Sequence, residues 1–202
     1  DGLLSAETEG EKFFEQGGLS EEEMRSGIHA AVQKQTFIPL FCTAGESNIG
    51  VARLMDFVAK YGSSPVDRAK VQAADGNGDA VEIGLTDPAP VLYVFKTISE
   101  AQFGELSYFR LYSGSVKFGM DLYNSARKSS EKLGQIYVLN GHERTLVPVL
   151  HAGDLGAVVK LRETHTGDTL CSPRFQVVLP KVDYPAPNIH GALRLRSKGD
   201  ED

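Results

Sequence analysis

The sequence has no tryptophan, only two cysteines in 202 residues, and no apolar run near the roughly 20 residues that a membrane-spanning helix needs. Cys42 and Cys171 are too few for a disulfide framework, which favours a reducing compartment. The N-terminus also lacks a basic segment followed by an apolar one, so no signal peptide is expected. We therefore expect a cytoplasmic protein that does not span a membrane.

Motifs for nucleotide and metal chemistry are also missing. No G-x-x-x-x-G-K-[ST] loop occurs, and none of the five histidines is spaced from another His or Cys as zinc ligands are. Asp75, Asn77 and Asp79 match the first ligands of a calcium loop, but Ala80 replaces the required glycine and Thr86 the bidentate glutamate. We therefore expect no metal site, no catalytic residue and no cofactor bound by this chain.

Charge is distributed unevenly along the chain. The net charge is −6, yet residues 85–182 hold eleven bases and nine acids, whereas residues 1–34 hold eight acids and three bases. Such a split is typical of solvated surface, and the bases influence binding only if they converge in space. A net charge of −6 argues against a general nucleic-acid coat only where the charge is evenly spread, which it is not here; no DNA partner is expected.

The first third of the chain is predicted to be helical. Ser20 and Glu23 form a capping-box pattern, and apolar residues follow at helical spacing: Met24, Ile28, Ala31 and Val32. A second amphipathic helix is predicted from about Val51 to Gly62. Between them, Phe37–Cys42 is short, apolar and β-prone, which predicts a buried strand with Pro39 at an edge or bend. Helix, strand and helix over residues 1–62 suit the end of a larger α/β domain.

Residues 63–90 contain many helix and strand breakers. Ser63-Ser64-Pro65, Asp75–Asp79 and Asp87–Pro90 show no apolar periodicity, which predicts a linker. Alternatively, the Asp-Gly-Asn-Gly tip turns a short hairpin between Lys70–Ala73 and Ala80–Ile83.

From Val91 the sequence becomes β-like. Short runs rich in Val, Tyr, Phe and Leu alternate with turns, which predicts a closed or nearly closed antiparallel β-barrel over residues 91–182. The fold class predicted for the whole chain is therefore α+β. Residues predicted to build the barrel's turns are Gly104, Gly114, Gly153, Asp154 and Gly167.

A basic loop projects from the predicted barrel. Arg127, Lys128 and Lys132 lie between two strand runs, where flexible cations can contact phosphates. The alternative is that these charges only keep a hairpin soluble.

Much of the chain resembles elongation factor G, the bacterial translocation GTPase. The resemblance depends on three patches: Phe37–Cys42 with Asn48–Val51 and Ser64-Pro65; Val94–Lys96 with Gly104–Gly114; and Ala152–Val159 with Thr166–Leu170. The first patch is similar to the last strand and helix of that family's GTPase domain. The second and third are similar to the second-domain barrel of translational GTPases.

The resemblance implies a fragment with four parts: the C-terminal end of a GTPase domain (1–62), a linker or hairpin (63–90), a domain II barrel (91–182) and the start of domain III (183–202). In this family domain II docks on the small ribosomal subunit and touches ribosomal RNA, which makes Arg127, Lys128 and Lys132 the candidate RNA contacts. GTP and magnesium would be needed by the full-length parent, whose binding motifs lie upstream, and not by this fragment.

The chain departs from the family pattern in one loop and at one further position. Thr43, Ala44 and Gly45 occupy the place of the loop whose Ser-Ala backbone helps to hold the guanine base, so the guanine contact is degenerate here. Lys160 stands where the family often has glycine after Val158-Val159. These differences suggest a divergent paralogue.

Two further interpretations remain open. A ribosomal-protection protein or a class-two release-factor GTPase shares the same barrel. From another class, a non-ribosomal β-barrel could bind another protein, which the near-neutral charge of residues 85–182 favours.

Overall fold

The structure is a computed structural model that describes residues 17–68, 70–100, 104–141 and 143–192. The chain divides into two units, with the boundary between Asp67 and Arg68. The predicted α/β end began at residue 1, but residues 1–16 lie outside the described part. The predicted start of domain III also falls partly outside it, because the description ends at residue 192.

The described part of the first unit contains two α-helices, and a short 3-10 helix (Pro65–Arg68) lies at its boundary with the second unit. Helix α1 (Glu21–Gln33) begins at the predicted capping box: Glu23 N donates to Ser20 Oγ at 3.3 Å, and Ser20 N donates to Glu23 Oε2 at 3.0 Å. Helix α2 (Val51–Tyr61) ends at Gly62. Arg25 Nε of α1 donates a hydrogen bond to the carbonyl oxygen of Lys60 in α2 at 3.3 Å, which links the two helices. Neither these nor any other helix in the described ranges has the length and apolar character needed to cross a bilayer.

The strand predicted over Phe37–Cys42 is wrong. The segment is irregular, Ile38 and Leu40 are 85% and 92% exposed, and Cys42 is exposed rather than buried. A β-strand needs a hydrogen-bonding neighbour, and in the described part of this unit the only pairing is a single bridge between Ala44 and Ile49. The apolar run therefore has the composition of a buried strand without a sheet to join.

The second unit consists mainly of strands. In chain order they are β1 (Lys70–Asp75), β2 (Ala80–Gly84), β3 (Val91–Glu100), β4 (Gly104–Ser113), β5 (Ser115–Lys117), β6 (Asp121–Asn124), β7 (Ser129–Lys132), β8 (Ile136–Asn140), β9 (Glu143–Val147), β10 (Val149–His151), β11 (Leu155–Val159), β12 (Thr169–Cys171) and β13 (Val177–Val178).

A hairpin occupies the segment between the helices and the main sheet. Strands β1 and β2 pair antiparallel, and β13 adds to β1 with Ala74 opposite Val178. At the tip, the amides of Asn77 and Asp79 donate to Asp75 Oδ1 at 2.8 and 3.0 Å, and these bonds lower the pKa of that carboxyl. The carboxylate is thus used within its own turn. Among the described residues, no three His, Cys, Asp or Glu side chains are grouped as a metal ion would require.

The main sheet has eight antiparallel strands in the order β7-β6-β12-β3-β4-β11-β8-β9, and β5 pairs separately with β10. Among the described pairings none joins β7 to β9, so hydrogen bonding does not close the sheet. One apolar core is nevertheless filled from both halves of the strand order, with Leu122 and Leu170 from one half and Phe109, Ile136 and Val158 from the other. Strands that surround a shared core are typical of small barrels, and α-helices followed by an antiparallel β-unit confirm the predicted α+β class.

Gly114 lies at the corner between β4 and β5, where another part of the backbone approaches closely. Its φ is +67°, and a Cβ there would lie 2.6 Å from the backbone nitrogen of Pro90. Gly119 has a similar φ of +76° but open space around it. A left-handed non-glycine residue costs about 1–2 kcal/mol, and overpacking adds about 1–3 kcal/mol. We expect Gly114→Ala to lower the free energy of unfolding, measured by urea denaturation, by about 2 kcal/mol more than Gly119→Ala does. Equal losses in the two variants would contradict the close approach.

Candidate nucleic-acid interface

The three candidate RNA-contact residues lie at three different kinds of position. Strands β6 and β7 form a hairpin with Leu122 opposite Glu131, and residues 125–128 form its turn. Lys128 is exposed in this turn, with a left-handed φ of +56°. Lys132 is exposed at the end of β7. Arg127 is held by an ion pair, because its Nε lies 3.3 Å from Asp168 Oδ2.

Arg127 is tied to a buried polar network. Asp168 is only 3% exposed, and its Oδ2 accepts from Asn124 Nδ2 at 3.1 Å and from the amide of His165 at 3.0 Å. Asn124 Oδ1 in turn accepts from the amides of Ala126 and Arg127, both at 3.0 Å. These bonds fix the start of the 125–128 turn against the segment that precedes β12. Arg127 therefore has a structural partner that Lys128 and Lys132 lack among the described residues.

Glu131 is a second buried carboxylate, only 2% exposed. Its Oε1 accepts from the amide of Glu163 at 2.8 Å and from Thr164 Oγ1 at 2.9 Å, and its Oε2 accepts from the amide of Arg162 at 3.2 Å. Three charge-assisted hydrogen bonds satisfy the ion in place of water. Strand β7 is thereby joined to the segment that follows β11.

A hollow of about 690 Å³ lies where these two segments meet. Three exposed basic side chains line it: Lys132, Lys160 and Arg162. The other side chains that line it are Phe118, Asp121, Ser130, Glu131 and Leu133, with Gly119 and Gly134. The structure thus brings Lys132 together with two bases distant in sequence, and it does not bring Arg127 or Lys128 into the hollow.

The predicted guanine-loop residues form a tight turn in the first unit. The Ala44 and Ile49 amides donate to each other's carbonyl oxygens, both at 3.0 Å, and the Asn48 amide donates to the carbonyl oxygen of Gly45 at 3.2 Å. Thr43 precedes this turn and is exposed. Because the Ala44 amide already has an acceptor, it is not available to hold a base in this conformation.

The predicted turn residues lie at sharp backbone reversals. Gly104, Gly153 and Gly167 have φ values of +74°, +97° and +92°, a region that favours glycine. Asp154 Oδ2 accepts from the amide of His151 at 2.8 Å across the Gly153 turn. These residues shape the β-unit and hold no position in the hollow.

Sequence reasoning missed the grouping of Lys160, Arg162 and Phe118. A signal was present at Lys160, which replaces the glycine expected there and has a φ of +62° in the structure. Arg162 and Phe118 carried no local signal, because only the pairing of distant strands places them beside Lys132.

The Glu131 carboxylate offers a direct test of the network. Glu131→Ala leaves the Arg162 and Glu163 amides and the Thr164 hydroxyl without their acceptor, so we expect a loss of about 3 kcal/mol in the free energy of unfolding. Glu131→Gln keeps one carbonyl oxygen and should lose less. The matched control is Ser130→Ala, an exposed neighbour on the same strand, which should change stability by less than about 0.5 kcal/mol. Urea denaturation followed by circular dichroism measures all three, and a Glu131→Ala loss no larger than the control's would contradict the proposed role.

Comparison with known proteins agrees with this architecture. Residues 90–173 match elongation factor G domain 2. The chain is also similar to a crystal structure of a protein from Thermus thermophilus, with 28% sequence identity and a TM-score of 0.66. That alignment covers 93% of this chain and 26% of the Thermus protein, so the chain spans about a quarter of the length of that relative.

The match coincides with the β-unit around the apolar core, from the residue before β3 to just beyond β12. The resemblance to the elongation factor G family is therefore confirmed, and it is carried by residues 90–173, which match that family's domain 2.

Proposed function

We propose that the β-unit of this chain docks on the small ribosomal subunit, contacting ribosomal RNA, as the second domain of an elongation-factor-G-like GTPase that acts in translocation. The single observation that carries this proposal is the match of residues 90–173 to elongation factor G domain 2. Because translation occurs in the cytoplasm, the proposal includes a cytoplasmic location.

The surface chemistry of the β6–β7 hairpin supports RNA as the partner. Lys128 and Lys132 are exposed on it and have no ion pair among the described residues. An ammonium that neutralises a phosphate releases a counterion, which adds affinity at low salt. Arg127 contributes less in this proposal, because its guanidinium is shared with the buried Asp168 carboxylate.

In this proposal, GTP binding and hydrolysis belong to the full-length parent protein. The parent would bind GTP and magnesium through motifs that this sequence does not contain, and this chain would neither bind GTP appreciably nor hydrolyse it. The Ala44 amide, already bonded to Ile49, supports a weak contribution of this loop to base binding.

Co-sedimentation with purified small ribosomal subunits over a series of salt concentrations tests the docking proposal. The variant combines Lys128→Asn, which tolerates the left-handed backbone, with Lys132→Ala. If each lysine contacts one phosphate, the slope of log affinity against log salt should become shallower by about 2, roughly 1 per lysine.

Lys181→Ala is the matched control, because Lys181 is also an exposed lysine of the second unit. It should leave the slope unchanged. Failure of the unaltered chain to bind small subunits would reject ribosome docking and favour a protein-interaction module. Binding with an unchanged slope in the double variant would reject these two lysines as phosphate contacts.

A further inference from the structure

We propose that the hollow lined by Lys132, Lys160 and Arg162 binds the phosphodiester backbone of RNA, with Phe118 stacking on an adjacent base. The identification of that RNA as ribosomal rests on the proposed function, whereas the phosphate chemistry rests on the hollow itself. The hollow shares Lys132 with the hairpin considered above, whereas Lys160, Arg162 and Phe118 lie outside that hairpin and are additional contacts.

The walls of the hollow are fixed by backbone contacts. The Gly119 amide donates to the carbonyl oxygen of Leu133 at 2.9 Å, and the Leu133 amide donates to that of Met120 at 2.9 Å. On the other side, a Cβ at Gly134 would lie 3.0 Å from the carbonyl oxygen of Val159, so the two segments approach closely there. A hollow built in this way is present before a ligand arrives, which reduces the entropy lost on binding.

The charge inside the hollow favours an anion. The three basic side chains are exposed, and among the described residues none of them forms an ion pair. Of the two carboxylates that line the hollow, Glu131 already accepts three hydrogen bonds and is buried, which leaves Asp121 as the one exposed acid. Bases that converge on a concave surface concentrate positive potential there.

The backbone at Lys160 adds a second line of evidence. Its φ of +62° is a conformation that costs a non-glycine residue about 1–2 kcal/mol. The conformation is held in part by the Lys160 amide, which donates to the carbonyl oxygen of Glu105 at 3.1 Å. A long cation at a position where glycine would be unstrained points to a use for the charge at the rim of the hollow.

Size and aromatic exposure distinguish RNA from a simple anion. A volume of about 690 Å³ lies within the range of small-molecule sites and accommodates a nucleotide with room to spare. Phe118 lies on the lining and is 67% exposed, so much of its ring is open to solvent. Stacking of one base on an aromatic side chain is worth about 1–3 kcal/mol and does not depend on sequence.

Fluorescence anisotropy with a labelled, short single-stranded RNA of mixed sequence tests the site on the whole chain. One variant combines Lys160→Gly, which removes the charge and relieves the left-handed strain, with Arg162→Gln, which keeps the backbone amide bonded to Glu131. We expect this charge variant to weaken binding roughly tenfold and to make the salt slope shallower by about 2.

Phe118→Leu is the second variant, and it separates stacking from charge. We expect it to weaken RNA binding roughly fivefold or more while leaving the salt slope unchanged. Lys181→Ala is again the control and should bind RNA like the unaltered chain. Circular dichroism confirms that each variant is folded before binding is compared.

Several results would overturn the proposal. The unaltered chain could fail to bind RNA, or both variants could bind RNA as tightly as the unaltered chain. Displacement of the RNA by inorganic phosphate at equal phosphate concentration would also contradict the proposal. Amide chemical shifts that move on RNA addition should include those of Gly119, Gly134 and Arg162, and shifts confined to other regions would also contradict the site.

Co-sedimentation of the same variants with small ribosomal subunits separates this proposal from the proposed function. RNA binding that depends on the hollow, without any subunit binding, supports the site and rejects ribosome docking. Subunit binding that is unchanged in the variants, with RNA binding also unchanged, rejects the site and leaves ribosome docking standing.

Discussion

The arrangement of the bases around the hollow, Lys132, Lys160 and Arg162, depends on the hydrogen bonds of the buried Glu131 carboxylate. By accepting from the Arg162 and Glu163 amides and from the Thr164 hydroxyl, it joins β7 to the segment after β11. Burying a lone carboxylate is costly, so the ion is stable there only because these donors replace water. The Asp168 carboxylate does the same for the turn that carries Arg127 and Lys128. The two buried carboxylates, Glu131 and Asp168, thus fix the segments that carry the basic side chains.

Burial of the neighbouring residues explains why Lys132, Lys160 and Arg162 face solvent. On β7, Glu131 points inward and Lys132 outward, and Leu133 beyond it returns to the core. After β11, Leu161 is buried between the exposed Lys160 and Arg162. Because neighbouring side chains of a strand point to opposite faces, the inward packing of Glu131 and Leu133 turns Lys132 outward, whereas Lys160 is exposed in a left-handed backbone conformation. The apolar core therefore decides which charges are available for binding.

The predicted helices and the β-unit were recognisable because their signals are local. The capping box at Ser20 and Glu23 and the glycine after Tyr61 each act within one turn of helix, and the structure contains both. Phe37–Cys42 failed as a strand because strand formation depends on a partner elsewhere, and Ile38 and Leu40 are exposed without one. The roles assigned to Lys128, Lys132 and the 43–45 turn stay predictions, since their position alone does not reveal what they bind.

The sequence by itself determined the resemblance to the elongation factor G family, the α+β class and the bases of the β6–β7 hairpin, because motifs, periodicity and turn residues are written in consecutive positions. Only the tertiary structure decided that Lys132 shares a hollow with Lys160, Arg162 and Phe118, and that Arg127 is paired with Asp168. Hydrogen bonds join the segments that carry these residues: Arg127 bonds to Asp168, 41 residues away, and the Arg162 amide bonds to Glu131, 31 residues away. Contacts of that separation depend on the register of the whole sheet, which no local pattern specifies.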